Sequence, residues 1–353
     1  MTAARPGQPF EMPAEWAPHD ATWIAWPHHE PDWPGKLPAV QWVYAEIVRA
    51  LHAFERVEIL CHSRTVRDDA RARLEAHHVA PDRYRLHLVP NDRSWLRDSA
   101  PTAVHDDGGR VVLVDWDFNA WAKYENHALD AGVGPAMEAI TRLPRVVPAR
   151  PDSAAPLVLE GGGIETDGAG TLLVTEEWLL SDVQVRNPGL DRAGYERAFR
   201  DWLGVHRTIW LGEGCVGDDT HGHVDDVARF VARDVVVVAH EEDPADENHR
   251  RSADNLRRLA LDAPDLSVLT LPFPRPVMMD GVRLPASYAN FYIGNGVVLV
   301  PTFNDARDRQ ALDLLVECFP GRDVIGIHSV DLVWGLGTLH CLTQQQPAAR
   351  TLP

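Results

Sequence analysis

No run of about 18 apolar residues, the length a helix needs to cross a bilayer, occurs in this 353-residue sequence, so helical membrane spans are not expected. The opening stretch MTAARPGQPFEMPAEW likewise lacks an apolar core of signal-peptide length. Cysteine is sparse. Cys61, Cys215, Cys318 and Cys341 are scattered, with no close C-x-x-C pair, which argues against a zinc ribbon, a dithiol redox site or a disulfide scaffold. A reducing cytoplasmic compartment is the default, and there a free thiol can act as a nucleophile. Basic residues are in deficit, with 34 Lys plus Arg against 52 Asp plus Glu and a formal charge of -18. That balance repels nucleic acid and anionic membrane and favours cationic ligands, although solubility alone would also account for it. Low-complexity linkers are missing, and the Pro-rich stretch Arg145 to Pro156 is short enough to be a surface loop.

What is present is the mix of a globular protein, 45% hydrophobic and 24% charged, with enough apolar side chains for a sizeable core. Length alone allows one large domain or two ordinary ones. Short β-branched runs recur at a spacing of roughly sixty residues: Val57 to Cys61, Val111 to Val114, Thr171 to Val174, Val235 to Val238 and Val297 to Val300. They read as buried strands. Between them lie stretches with helical spacing of apolar residues, at Ala39 to Ala53, Asp130 to Leu143, Arg192 to Leu203, Ala245 to Leu261 and Asp308 to Cys318. A second series of strand-like segments carries polar residues at strand ends, namely Asp98, Glu160, His223, Asn290 and Cys341. Five αβ units that each contribute one polar residue imply a closed ring with those residues converging on its axis, although any α/β protein alternates strands and helices.

Three segments carry chemistry. In NDRSWLRDSAPT (Asn91 to Thr102), Trp95 and Asp98 can line a pocket together. A carboxylate beside an indole face suits a planar cation, while the Arg97–Asp98 pair also has the pattern of a local salt bridge. The run GDDTHGHVDD (Gly217 to Asp226) packs four acids and two histidines into ten residues. On a strand, His223 and Asp225 would face the same way, an acid/base imidazole beside an anion. The same run also suits metal ligation through His221, His223, Asp225 and Asp226. In GLGTLHCLTQQQP (Gly335 to Pro347), glycines that permit close backbone approach precede Cys341, and the His-x-Asp pair can serve as its base. His340 would point away on a strand and reads as structural.

Taken together, these segments resemble the agmatine deiminases, in the family shared with bacterial peptidylarginine deiminase within the guanidine-modifying superfamily. The likeness runs almost end to end. It includes MPAEWAPHDATWIAWPH (Met12 to His28), WLRD (Trp95 to Asp98), DFNAWAKY (Asp117 to Tyr124) and LEGGGIETDGAGTLLVTEEWLL (Leu159 to Leu180). It continues through DDTHGHVDDVARFV (Asp218 to Val231), SYANFYIGNGVVLVPTF (Ser287 to Phe303) and HCLTQQQP (His340 to Pro347).

The resemblance implies a single deiminase catalytic domain over residues 1–353. Its implied fold is a five-bladed pseudo-symmetric α/β propeller, the pentein fold. No metal and no other cofactor are expected. By the family pattern Asp98 and Asp225 clamp a guanidinium, His223 is the acid/base, Glu160 orients His223 or binds the guanidinium, and Cys341 attacks. Trp95 and Asp219 would meet the substrate chain and its far amine, with Trp121 and Asn290 also at the substrate. The expected partner is a small cationic guanidine, best agmatine, with free or peptidyl arginine as the alternative. Pairing into a homodimer is left open. Ala100, Ala122, His221 and Asp226 stand where the family pattern has other residues, beside the pocket.

Overall fold

The computed structural model describes residues 10–350. Each β-branched run becomes the middle strand of a small sheet, because a continuous apolar stretch is stable only when both faces are covered. In the first sheet β1 (His19–Ala25), β2 (Arg56–Cys61) and β3 (Tyr84–Leu88) run parallel. The segment Thr343–Pro347, β18 below, pairs antiparallel with β1.

Four further sheets follow in chain order. They are β4 (Thr102–His105), β5 (Val111–Val114) and β6 (Arg145–Val146); β7 (Glu165–Thr166), β8 (Thr171–Thr175) and β9 (Arg207–Leu211); β10 (Ala228–Ala232), β11 (Val235–His240) and β12 (Ser267–Pro272); and, after a hairpin of β13 (Met278–Met279) with β14 (Val282–Arg283), β15 (Tyr292–Ile293), β16 (Val297–Thr302) and β17 (Asp323–His328). In all four the first two strands are antiparallel and the last two parallel. The order β18-β1-β2 repeats that pattern.

A parallel pair needs a crossover, and the expected helices supply it. They form at Leu37–Leu51, Val133–Thr141, Arg192–Leu203, Glu247–Asp262 and Asp308–Cys318, and Arg64–Ala76 adds one between β2 and β3. The helix Arg192–Leu203 shows why the boundaries fall where they do. Asp191 caps its start by accepting from the Gly194 amide at 2.8 Å. Its buried stripe is Tyr195, Ala198, Phe199, Trp202 and Leu203, and it stops at Gly204, whose φ is +71°. The stretch read as one helix over Asp130 to Leu143 is instead a 3₁₀ turn at Asp130–Gly132 followed by Val133–Thr141, ended by left-handed Arg142. Core residues merge between units, as where Leu173 and Ile209 join Val236, Val238, Val298 and Val300 in one cluster.

The second series departs from expectation. Asp98, Glu160, His223, Asn290 and Cys341 do not end strands. They sit on short helical turns or loops: Leu96–Ser99, the entry to Gly161–Gly163, the entry to Val224–Asp226, the loop before β15, and Leu339–Leu342. A strand would send alternate side chains to opposite faces, whereas a tight turn lets neighbouring residues reach one spot.

Candidate active site

The turn Leu96–Ser99 offers Asp98 inward while Arg97 is drawn elsewhere. Arg97 donates to Glu15 (3.2 Å), to the Gln345 side chain (2.7 Å) and to the His340 carbonyl (3.2 Å), so it is not the local partner of Asp98. The Gly161–Gly163 turn is glycine because space demands it. A Cβ on Gly162 would lie 2.6 Å from His223 Nδ1, 2.9 Å from Asp98 Oδ1 and 3.1 Å from Asp225 Oδ2. Those three groups therefore crowd a single point. The acid-rich run folds around Asp218, whose carboxylate accepts from the Thr220, Gly222 and His223 amides at 2.8 to 3.0 Å. Its density of acids is thus partly a loop clasp. It presents His223 and Asp225 from a 3₁₀ turn rather than from the strand expected.

Within this cluster Asp98 accepts from the Trp121 indole N–H and the Gly162 amide, both at 2.9 Å. Glu160 accepts from the Trp178 indole at 2.6 Å and from Arg186 at 3.0 Å. The His223 ring stands 3.9 Å from Asp98 and 3.5 Å from Glu160, edge-on to Trp178. Neither of its ring nitrogens has a hydrogen-bond partner among the described residues. Cys341 Sγ lies 3.6 Å from Asp225 Oδ2 and accepts from Asn290 Nδ2 at 3.0 Å. Asp225 Oδ1 is buried and unpartnered among the described residues. An acceptor left this way costs about 1–3 kcal/mol, which a cationic donor would recover.

Charge in the cluster is set by burial and by neighbouring acids. Burial raises Asp98, with Asp225 and Glu160 adding to it against His223, and its carboxyl is pushed up to about 6. Burial would lower His223, but Asp98, Glu160 and Asp225 outweigh it and raise the imidazole to about 9. Burial opposes ionisation of Glu160, yet Arg186 and His223 hold its carboxyl down to about 2. The Cys341 thiol is pushed well above its ordinary range by burial and by the Asp225, Asp226 and Asp98 carboxylates.

Two residues treated lightly in the sequence have central places. His340 is not turned away. It occupies the turn Leu339–Leu342, where its Nδ1 lies 2.7 Å from Asp225 Oδ2 and its Nε2 2.8 Å from Glu15 Oε2. Glu15 is held in turn by Arg97, Arg229 and the Ile293 amide. Asn290 lies behind the thiol rather than on the cavity wall, and its Oδ1 accepts from Thr338 Oγ1 at 2.8 Å and the His340 amide at 3.0 Å. No spacing rule joins Glu15 to His340, which is 325 residues away. Only the folded chain does.

Asp98 and Cys341 open onto a cavity of about 380 Å³ whose walls include Trp95, Trp121, Tyr124, Asp219, Trp334 and Gly337. Trp95 packs against Trp33, and Gly337 lets the chain pass beside it, since a Cβ there would meet the Trp95 ring at 2.9 Å. At the mouth Asp219 is paired with Lys123 and accepts from the Tyr124 hydroxyl at 2.7 Å. Arg93 lies over the Tyr124 ring and pairs with Asp32 at 2.6 Å. Trp121 is held with φ 60° between Ala120 and Ala122, at 50° and 53°. Three successive left-handed non-glycine residues cost roughly 1–2 kcal/mol each, and their placement delivers the indole to Asp98. His221 leaves this cluster altogether, bonding Ser181 Oγ at 2.9 Å in a separate cleft. The four residues of the metal reading therefore do not converge, and among the described residues no three His, Cys, Asp or Glu side chains are grouped to share an ion.

The family model of the Porphyromonas-type peptidyl-arginine deiminase matches residues 11–347. This chain belongs to that family. An agmatine deiminase of Pseudomonas aeruginosa (strain LESB58) is 38% identical over 368 residues, covering 97% of this chain and 96% of that protein. One of Medicago truncatula is 35% identical over 377 residues, covering 96% of each. The solved agmatine deiminase of Enterococcus faecalis superposes with a TM-score of 0.88 at 31% identity, over 99% of this chain and 100% of that one.

The departures from the deiminase family pattern now have physical readings. Ala100 has φ -90° and needs no glycine. Ala122 bears the left-handed strain just described. Asp226 is pushed well above its ordinary value by burial and by Asp225 and Asp218, and its Oδ1 accepts from Asn290 at 3.1 Å.

Proposed function

We propose that this deiminase hydrolyses agmatine to N-carbamoylputrescine and ammonia through a covalent amidino-cysteine at Cys341. The observation that carries the reading is Asp225. One of its oxygens is fixed by His340 beside the thiol, and the other is buried and unpartnered, facing no donor in a cluster that also holds Asp98. A planar cation bonded to both carboxylates would have its central carbon over Sγ, and such orientation can lower a barrier by several kcal/mol.

Arrival of the guanidinium offsets the three carboxylates that hold the thiol protonated, so Cys341 ionises as substrate binds. The thiol proton leaves through the cavity onto which Cys341 opens. Thiolate attack forms the S–C bond and a tetrahedral adduct. His223, charged at neutral pH, gives its proton to the departing nitrogen, and the C–N bond breaks to release ammonia. The neutral imidazole then takes a proton from water, whose oxygen adds to the amidino carbon. Collapse breaks the S–C bond and leaves the carbamoyl product, and the hydroxyl proton of the adduct restores the Cys341 thiol. Glu160, fixed by Arg186 and Trp178, keeps His223 aimed and charged.

Two features support agmatine over arginine. The cations at the mouth, Arg93 and Lys123, are each already paired to an acid, which leaves no free partner there for a substrate carboxylate among the described residues. The pairing of the Lys123 ammonium with Asp219 also shows that this carboxylate at the mouth accepts an aliphatic ammonium of the kind that ends agmatine. The five like sheets support closure into a five-bladed α/β propeller, one catalytic unit. Ammonia release measured side by side on agmatine, arginine and a blocked arginine peptide tests the reading. A preference for either arginine compound would overturn it.

A further inference from the structure

Both ring nitrogens of His340 face carboxylate oxygens, at 2.7 and 2.8 Å, and all three side chains are buried. A carboxylate can only accept, so the ring is the donor in this bridge between the two acids. A buried anion is stable only when paired, and His340 has one on each side. Glu15 is the fixed one, bound by Arg97, Arg229 and the Ile293 amide. Asp225 is the one that borders the thiol.

We propose that Glu15 is a positioning residue which, through the His340 ring bonded to both acids, holds the Asp225 carboxylate turned with one oxygen toward the reacting guanidinium. This rests on the deiminase reading above. The charged groups around Asp225 are His223, Asp226, Asp98, Cys341 and His340, with Arg229 behind. Around Glu15 they are His340, Arg97 and Arg229, with Glu165 across Arg229. Among the described residues only His340 bridges the two sets by hydrogen bonds to both. If Glu15 becomes neutral, the His340 ring loses one of the two anions that flank it, and Asp225 loses the fixed end of the bridge that orients it.

The experiment compares Glu15→Gln and His340→Gln with Glu165→Gln. The last removes a carboxylate from the same buried Arg229 without touching His340, so it reports structural damage alone. With agmatine, the first two variants should lose on the order of 10- to 100-fold in kcat, the range for outer partners that orient a charged group, while KM moves less than about threefold. Alkylation of Cys341 by iodoacetamide at pH 8, followed on its peptide by mass, should slow about tenfold, because less thiolate forms once the Asp225 carboxylate bordering the thiol is no longer tied to the bridge. Glu165→Gln should change neither reading by more than about twofold. If Glu15→Gln fails to fold, His340→Gln carries the test. A folded variant of either kind with wild-type kcat, or a Glu165→Gln variant equally impaired in kcat, overturns the role of Glu15. Wild-type protein that releases no ammonia from agmatine overturns the functional reading instead.

Discussion

Gly162→Ala puts one methyl group where three reactive side chains meet. The added Cβ would stand 2.6 Å from His223 Nδ1, 2.9 Å from Asp98 Oδ1 and 3.1 Å from Asp225 Oδ2. Gly162 is not in the left-handed region, so alanine meets no backbone penalty and the effect is steric. Ordinary carbon contacts begin near 3.4 Å, and the imidazole must therefore retreat by close to ~1 Å. A displacement of about that size costs on the order of 100-fold in rate, or about 2.7 kcal/mol of transition-state stabilisation. Overpacking a buried site costs a further 1–3 kcal/mol or so of stability. Gly132→Ala is the control, since nothing lies within 4 Å of a Cβ there, and it should match wild type in both respects. The assay is ammonia release from agmatine, read with a thermal unfolding curve for each protein. Gly162→Ala retaining more than about a tenth of wild-type kcat/KM would refute the convergence of His223, Asp98 and Asp225 on one reacting centre.

Cys341→Ala should fold, bind agmatine and turn over none of it, because both carboxylates survive. Residual turnover would unseat the nucleophile. Lys123→Ala should lower KM for agmatine by removing the ammonium that competes for Asp219, while Asp219→Asn should raise KM for agmatine far more than for a guanidine of similar length without the amine; equal effects on both compounds would place Asp219 in the fold alone. Asp98 must be ionised to hold a cation, and its carboxyl sits at about 6 in the free site. Agmatine binding to Cys341→Ala, followed by calorimetry, should therefore weaken about tenfold per pH unit below 6, and a flat profile from pH 5 to 7 would contradict this.

The strands and crossover helices were legible because a buried parallel pair writes itself as a β-branched run, a helical stripe and another run. The helix Arg192–Leu203 and the strand β5 fall where the pattern put them. Asp98, Glu160, His223, Asp225 and Cys341 were legible through long motifs, but the elements carrying them were not. Four short turns have no periodicity to read, and period-2 reasoning sent His340 outward when a helical turn brings it to Asp225. Glu15 lay in plain view inside MPAEW, yet its significance depends on a contact across almost the whole chain. Asp130 to Leu143 was overextended because helical spacing continues through a 3₁₀ turn and past a left-handed stop.

The strand β18 begins two residues after Cys341 and zips antiparallel onto β1. Cys341 is thus attached to a seam. Gln345, within that strand, is gripped by Arg97 from the turn that carries Asp98, so one lateral fluctuation at the seam would loosen thiol and clamp together. Catalytic competence is then a property of how rarely this edge frays. Amide exchange along Gln344 to Gln346 would report the lifetime of the assembled centre, with no substrate present at all.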